Sequence, residues 1–298
     1  MPKTLSIFLF LIISAYLSAQ SLEALRQELQ GIVAGKQARV GIAFIGTQED
    51  DTLSIRGEER FPMQSVFKFH IGAAMLSEID KGKYTLQQKI KIKKSELLPG
   101  LWSPIREKYL QGATLSIAEI LKYTIAQSDN VGCDVLLRLL GGPTFVENYM
   151  HEKGLKDIAI KINEETMQGH WERQFENWTT PKAANEALRY FFQNRRQALR
   201  QRSYDFLWET MKETSTGLKR LKGDLPAGTI VAHKTGWSGT HKETGITAAV
   251  NDIGIVFLPN GKPHFVSVFI SDSRESTESN EKIIAEVSKA LWDFCISK

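Results

Sequence analysis

The sequence predicts an α/β (α+β) fold: an antiparallel sheet from N- and C-terminal segments, flanked by helices, beside an all-helical lobe. Three observations carry this. Short β-branched runs separated by turn residues occur near the start, from Arg39, and again after Pro226. Between about Phe67 and Thr214 the apolar residues recur at helical spacing behind recognisable caps. An amphipathic run closes the chain.

Taken in order, Leu22, Leu25, Leu29 and Ile32 mark a first helix. Arg39 to Ile45 and Thr52 to Ile55 read as strands joined by the polar turn Gly46 to Asp51. In the helical middle, Ser116 and Glu119 form a capping box ahead of Ile120, Leu121 and Ile125. A helix from about Val131 to Leu140 stops at Gly141-Gly142-Pro143, where glycine supplies a left-handed end and proline blocks continuation. Thr180-Pro181 pairs a cap with a proline at the first helical position. After Pro226, Thr229–His233, Gly245–Val250, Gly254–Leu258 and His264–Ser271 read as strands, with turns at Asn251-Asp252 and Pro259-Asn260-Gly261. Ile283, Ile284, Val287, Leu291 and Phe294 give the closing helix its apolar face. The expected organisation is a single catalytic domain over 20–298. Its α/β lobe takes about 20–60 and 215–298, its helical lobe about 61–214, and a cleft lies between them.

Residues 1–19 read as a signal peptide. Lys3 gives a positive start, Leu5 to Leu17 is mostly apolar, and Ser18 and Ala19 are small enough for cleavage. The alternative is an uncleaved anchor, but a span needs roughly 20 apolar residues. The expected location is periplasmic, with no membrane attachment after cleavage. A formal charge of +4 is too small and dispersed to point to nucleic acid. Arg195 to Arg202, the nearest thing to a basic run, reads as a solvated helix end. The six histidines show no spacing that zinc requires, so no metal and no cofactor is expected. Cys133 and Cys295 could pair in an oxidising compartment. Each lies in its own helix-like apolar pattern, so two buried free thiols are preferred.

The chemistry sits in three short motifs. Ser65-Val66-Phe67-Lys68, if it opens a helix, puts a hydroxyl and an amine on one face. A serine needs a neighbour to take its proton, and a lysine can serve only when partly neutral. Ser128-Asp129-Asn130 lies between two helices, where its plain reading is a cap. Lys234-Thr235-Gly236 ends a strand and could be an ordinary strand-to-turn junction. None decides anything alone. In this order and context they match the combination found in class A β-lactamases and penicillin-binding proteins.

On these motifs the chain resembles the class A serine β-lactamases, with a serine β-lactamase/transpeptidase-like fold implied. Trp102-Ser103-Pro104 resembles the stretch forming one cleft wall, and Leu225-Pro226-Ala227-Gly228 the turn before the lysine-bearing strand. Asn163-Glu164-Glu165-Thr166-Met167 falls where that family carries its Ω-shaped loop, with Trp178 further on. The likeness is to the extended-spectrum subgroup with the PER and CfxA types. It implies hydrolysis of penicillins and cephalosporins through an acyl-serine, small-molecule β-lactam substrates, and a monomer. Ser65 would be the nucleophile, with its N–H and that of Trp237 as oxyanion hole. Lys68 would orient or deprotonate Ser65, and Ser128 would protonate the leaving nitrogen. Asn130 would bind the side-chain amide, Lys234 and Thr235 the carboxylate, and Glu164 would activate water, with Gln168 its partner. Trp102, Gly236 and Trp237 would line the substrate site. Glu165 is the alternative to Glu164, and either could be a solvated charge.

Several positions depart from the family pattern. Gln64 stands where many members have a cysteine, so their disulfide cannot form here. Asp134 replaces an asparagine that buttresses the Ω loop and can only accept hydrogen bonds, which implies a different loop arrangement. Thr244 stands where many members have a carboxylate-binding arginine, and Arg220 lies where others supply one. The plain alternative is a surface arginine on a helix with Lys219 and Lys222. The Trp237 indole could narrow the cleft or stack on substrate. Two rival functions share the motifs: a penicillin-binding DD-peptidase, which normally lacks the Ω-loop glutamate, and a non-hydrolytic β-lactam sensor.

Overall fold

The computed structural model describes residues 22–48 and 50–298; the expected signal peptide lies outside the described residues. A five-stranded sheet runs in the order Thr52–Ile55, Arg39–Ile45, Pro263–Ser271, Val250–Phe257, Val231–Trp237, with Arg39 opposite Ser271. All neighbouring strands of this sheet are antiparallel. Side chains alternate across it. Val266, Val268 and Ile270 join Val40, Ile42 and Phe44 under the helices at 22–33 and Thr277–Ile296. Phe265 and Phe269 face the other way, into a core shared with the middle of the chain. The axis of that core is the helix Phe67–Asp80, in which every residue from Phe67 to Glu78 is buried. Such a helix has no polar face, which is why periodicity alone did not bound it.

The capping box forms as expected, with Ser116 accepting from Glu119 N–H and Glu119 from Ser116 N–H. Asn130–Leu140 ends on left-handed Gly141, and Thr180 caps Pro181–Phe192. Cys133 and Cys295 are free and buried. Among the described residues, no helix is long and apolar enough to cross a membrane.

Three expectations need correction. The middle segment is not all-helical: Lys89–Lys93 pairs with Gly112–Ser116, and Phe61–Pro62, Trp178–Thr179 and Ile158–Ala159 form a small sheet. Lys89-Ile90-Lys91-Ile92-Lys93 alternates strictly, a strand signal that was passed over. In place of the strands expected at Gly245–Val250 and Gly254–Leu258 there is one strand, Val250–Phe257, with no turn at Asn251-Asp252; Gly245–Ala249 lies outside it, with Thr247 in isolated bridges to Thr240 and Ser273. Turn preference yields at Asn251-Asp252 because both side chains are buried and bonded. Asn251 donates to the Pro62 and Met63 carbonyls, and Asp252 accepts from Leu221 N–H and contacts His233 Nδ1 at 3.0 Å. Finally, Arg195–Arg202 is not one helix end. Arg195–Gln197 is a short 3-10 segment with Arg196 non-helical, and Asn194 holds the following turn by bonding both backbone groups of Leu199. The exposed Gln201 and Arg202 open the helix Gln201–Lys212.

Candidate active site

Ser65 lies in one turn of 3-10 helix, Gln64–Val66, that feeds the buried Phe67–Asp80 helix. The turn is set by Gln64, whose φ of +46° is left-handed, a conformation a non-glycine residue keeps only where its surroundings impose it. Its buried amide donates to Gln174 Oε1 at 2.6 Å, and Met63 N–H donates to Asn177 O. Side-chain and backbone bonds thus link the Ser65 loop to the segment expected to form the Ω loop, residues 163–178, called the Ω segment below. The glycine of Lys234-Thr235-Gly236 is required at this junction. A Cβ there would sit 2.6 Å from the Met63 carbonyl oxygen and 3.1 Å from Gln64 Cβ.

Lys68 stands one turn after Ser65, as the second residue of the helix Phe67–Asp80, and is fully buried. Its Nζ lies 2.9 Å from Ser65 Oγ, 2.8 Å from Ser128 O, 2.5 Å from Asn130 Oδ1 and 2.8 Å from Glu164 Oε1. Ser128 is left-handed, φ +58°, which points its carbonyl at Lys68 while its Oγ accepts from Lys234 Nζ at 2.9 Å. Both readings of Ser128-Asp129-Asn130 hold at once. Asp129 caps Asn130–Leu140 through Gly132 N–H, and also accepts from Ser103 Oγ and Ile105 N–H, fixing the wall that carries Trp102. Burial raises the Asp129 carboxyl above its ordinary value. Trp102 itself is anchored by its Nε1 to Gln127 O and leaves 56% of its surface exposed.

Lys234 is buried on the edge strand Val231–Trp237. Burial first, and then the Lys68 ammonium, pulls its pKa well below the ordinary lysine value. Its Nζ also donates to Thr235 O, and Thr235 Oγ1 meets Thr216 Oγ1 at 2.6 Å. Ser238 N–H donates inward to Ala249 O, so strand alternation turns the preceding Trp237 N–H outward, to the open side of the edge strand. Ser65 N–H lies in the first turn of a helix, where such groups have no intrahelical acceptor.

Glu164 opens the short helix Glu164–Gly169, capped by Asn163. It is buried, 3.4 Å from Ser65 Oγ, and accepts from Gln168 Nε2 at 3.3 Å; Glu165 is exposed. Asp134 accepts from Glu164 N–H, Glu165 N–H and Asn163 Nδ2, so it supports the Ω segment by accepting only. Arg220 is not a surface arginine on a helix. It is buried in a turn, with Nη1 donating to Gly236 O and Asn251 O and Nε 3.3 Å from Glu281. Thr244 is exposed and lies outside the residues lining the cleft.

These groups surround one cleft of about 410 Å³, lined by Ser65, Ser128, Asn130, Thr235 and Trp237 among others. Gln168, Trp102, Arg220 and Gly236 line it too. Thr216, Ser238 and Gly239 also line it and were missed, because isolated small polar residues outside a motif carry no signal in the sequence. The arrangement offers a hydroxyl, two buried amines, a buried carboxylate and two outward N–H groups, the set needed to form and clear an acyl-serine.

A β-lactamase enzyme family model matches residues 24–295. The chain is 48% identical to β-lactamase VEB-1 of Pseudomonas aeruginosa, over 95% of this chain and 94% of that protein. It is 41% identical to the extended-spectrum β-lactamase PER-1 of Pseudomonas aeruginosa, over 99% and 95%. The crystal structure of TLA-1 extended-spectrum β-lactamase superposes with a TM-score of 0.89 at 47% identity, covering 93% of this chain and 99% of that one. A class A β-lactamase from Bacteroides cellulosilyticus superposes at 0.88 with 38% identity, covering 93% and 99%. With a site and fold of this kind and relatives this similar along almost its whole length, the chain belongs to the β-lactamase enzyme family, in class A.

Proposed function

We propose that this serine β-lactamase opens the lactam ring at Ser65 and clears the acyl group with a water activated by Glu164. The 2.8 Å contact between Glu164 Oε1 and Lys68 Nζ, buried beside Ser65 Oγ, carries this reading. A proton passed from Lys68 to Glu164 across that contact leaves a neutral amine 2.9 Å from the Ser65 hydroxyl. Lys68 takes the Ser65 proton as Oγ bonds to the lactam carbonyl carbon. The oxyanion is held between Ser65 N–H and Trp237 N–H, and losing one such donor can cost about 10²–10³ in rate. The C–N bond breaks as Ser128 gives its proton to the ring nitrogen, and the proton on Lys68 returns to Ser128. Lys234 steadies Ser128 Oγ and, with Thr235 and Arg220, holds the substrate carboxylate. Asn130 binds the side-chain amide, while Trp102, Gly236 and Trp237 form walls. Glu164 returns its proton to Lys68 and, ionised again and assisted by Gln168, takes a proton from water as the water oxygen bonds to the acyl carbon. The bond from that carbon to Ser65 Oγ breaks as Lys68 gives Oγ a proton, and the proton on Glu164 passes back to Lys68.

The substrates are small β-lactams. An extended spectrum is proposed on the likeness to relatives whose names state it. A single domain, a monomer and a periplasmic location after removal of residues 1–19 complete the proposal.

The test follows a chromogenic cephalosporin at substrate excess, with intact-mass analysis. Many turnovers by the wild-type chain, and an acyl adduct accumulating in Glu164→Gln, are expected. A single stoichiometric burst with a stable Ser65 adduct in the wild type would overturn the reading.

A further inference from the structure

Trp171 and His241 pack on each other with ring centroids 4.7 Å apart and planes at 58°. They come from different segments. Trp171 follows Gln168 in the Ω segment, and His241 follows Ser238 and Gly239; those three neighbours all line the cleft. Among the described residues, no hydrogen bond or ion pair joins 163–178 to 238–247, so this ring pair is their directional contact. Each segment is anchored away from the other. The Ω segment is fixed by Asp134 and Gln64, and the second loop by the Thr240–Thr247 and Thr247–Ser273 bridges. The imidazole is held in place as well. His241 Nδ1 accepts from Thr244 N–H, and the Thr244 carbonyl accepts from Arg274 Nη1.

The cleft has two ends. Lys234, Thr235, Thr216 and Arg220 gather donors at one, where a carboxylate belongs. A substrate joined to Ser65 with its carboxylate there must direct its acyl side chain to the other, between Gln168 and Ser238-Gly239. We infer that the Trp171–His241 pair is a latch that sets the width of this end and so selects substrates by side-chain bulk. The inference rests on the β-lactamase reading above. Neither residue touches substrate; both act by positioning the segments that do.

Steady-state kinetics on Trp171→Ala, His241→Ala, the double variant and His241→Phe test it, using a bulky oxyimino cephalosporin and a penicillin with a compact side chain. Either alanine is expected to lower KM for the bulky substrate roughly 3- to 10-fold, the range set by one aromatic pair, leaving the compact substrate within about twofold. The double variant should gain no more than either single, because both remove one contact. His241→Phe should restore wild-type behaviour. Equal changes for both substrates, multiplying effects in the double, or His241→Phe acting like alanine would overturn the latch. If Trp171→Ala does not fold, His241→Ala alone carries the same comparison. A wild-type chain turning over neither substrate would instead overturn the β-lactamase reading.

Discussion

Asp134 lies directly behind Glu164 and accepts its backbone N–H at 2.8 Å, while its second oxygen takes Glu165 N–H and the Asn163 amide. Three donors converge on one carboxylate. Asparagine has one acceptor oxygen and a donor amide, so it cannot receive all three. Asp134→Asn should therefore loosen the Ω segment and slow deacylation by roughly 10-fold, as misplaced groups do. The lifetime of the acyl adduct checks this, and an unchanged lifetime would remove Asp134 from any positioning role.

The same carboxyl gives a pH signature. Burial, with the Glu164 charge adding, pushes Asp134 up to about 7. A raised carboxyl contributes stability that is full below its ordinary pKa near ~4 and is lost as pH rises through about 7. The wild-type urea midpoint, measured relative to that of Asp134→Asn, should fall between about pH 4 and 7 and level off above it. Equal slopes in the two proteins would show that Asp134 does not titrate there.

Two buried imidazoles oppose folding in acid. His264 has both ring nitrogens unpartnered beside Phe44, and burial lowers its pKa to about 3. His70, in the central helix, is lowered to about 4 by burial. Each must charge on unfolding, so stability is full above about 6.5 and lost as pH falls toward 4 and 3. His264→Phe keeps an aromatic ring and removes two unpartnered polar atoms. It should be at least as stable at neutral pH and lose less on acidification, measured by thermal melts at about pH 7 and 4.5. A steeper acid loss in the variant would contradict the assignment.

At Gly236 the added methyl of Gly236→Ala meets the carbonyl of Met63, two residues before Ser65. Either the edge strand or the serine loop must shift, separating Trp237 N–H from Ser65. A displacement near 1 Å can cost about 10² in rate, so kcat should fall by roughly 10- to 100-fold. Activity within about twofold of wild type would mean that the junction yields elsewhere.

Trp237 separates backbone from side chain. Its N–H is the proposed oxyanion donor, whereas its indole is 53% exposed in the cleft. Trp237→Ala should keep kcat and raise KM for cephalosporins roughly 3- to 10-fold if the ring stacks on substrate. A fall in KM would instead mean that the indole narrows the cleft.

The motif residues were legible because each pairs a reactive side chain with a local structure that the sequence also announces. Ser65 and Lys68 share a helix face, Ser128 follows a helix end, and Lys234 lies on a strand. Glu164 and Glu165 could not be separated by pattern, since only the register of Glu164–Gly169 decides which carboxylate is buried. Arg220 was similarly ambiguous: burial comes from the distant Gly236, Asn251 and Glu281. Asn251 and Asp252 read as a turn because their partners, Pro62, Met63, Leu221 and His233, are remote in sequence. The alternation of Lys89–Lys93, by contrast, was present in the sequence and missed.

The place of Arg39–Ile45, between Thr52–Ile55 and Pro263–Ser271, has a consequence for synthesis. This early strand pairs with Pro263–Ser271, which emerges nearly last, and only Thr52–Ile55 can join it sooner. A two-stranded hairpin is at best marginal in water. Closing so long a loop is slow, and the entropy must be spent before the contacts form. The growing polypeptide therefore has no finished sheet until its C-terminal strands have been made. The architecture itself delays commitment to the folded state until almost the entire chain has been made.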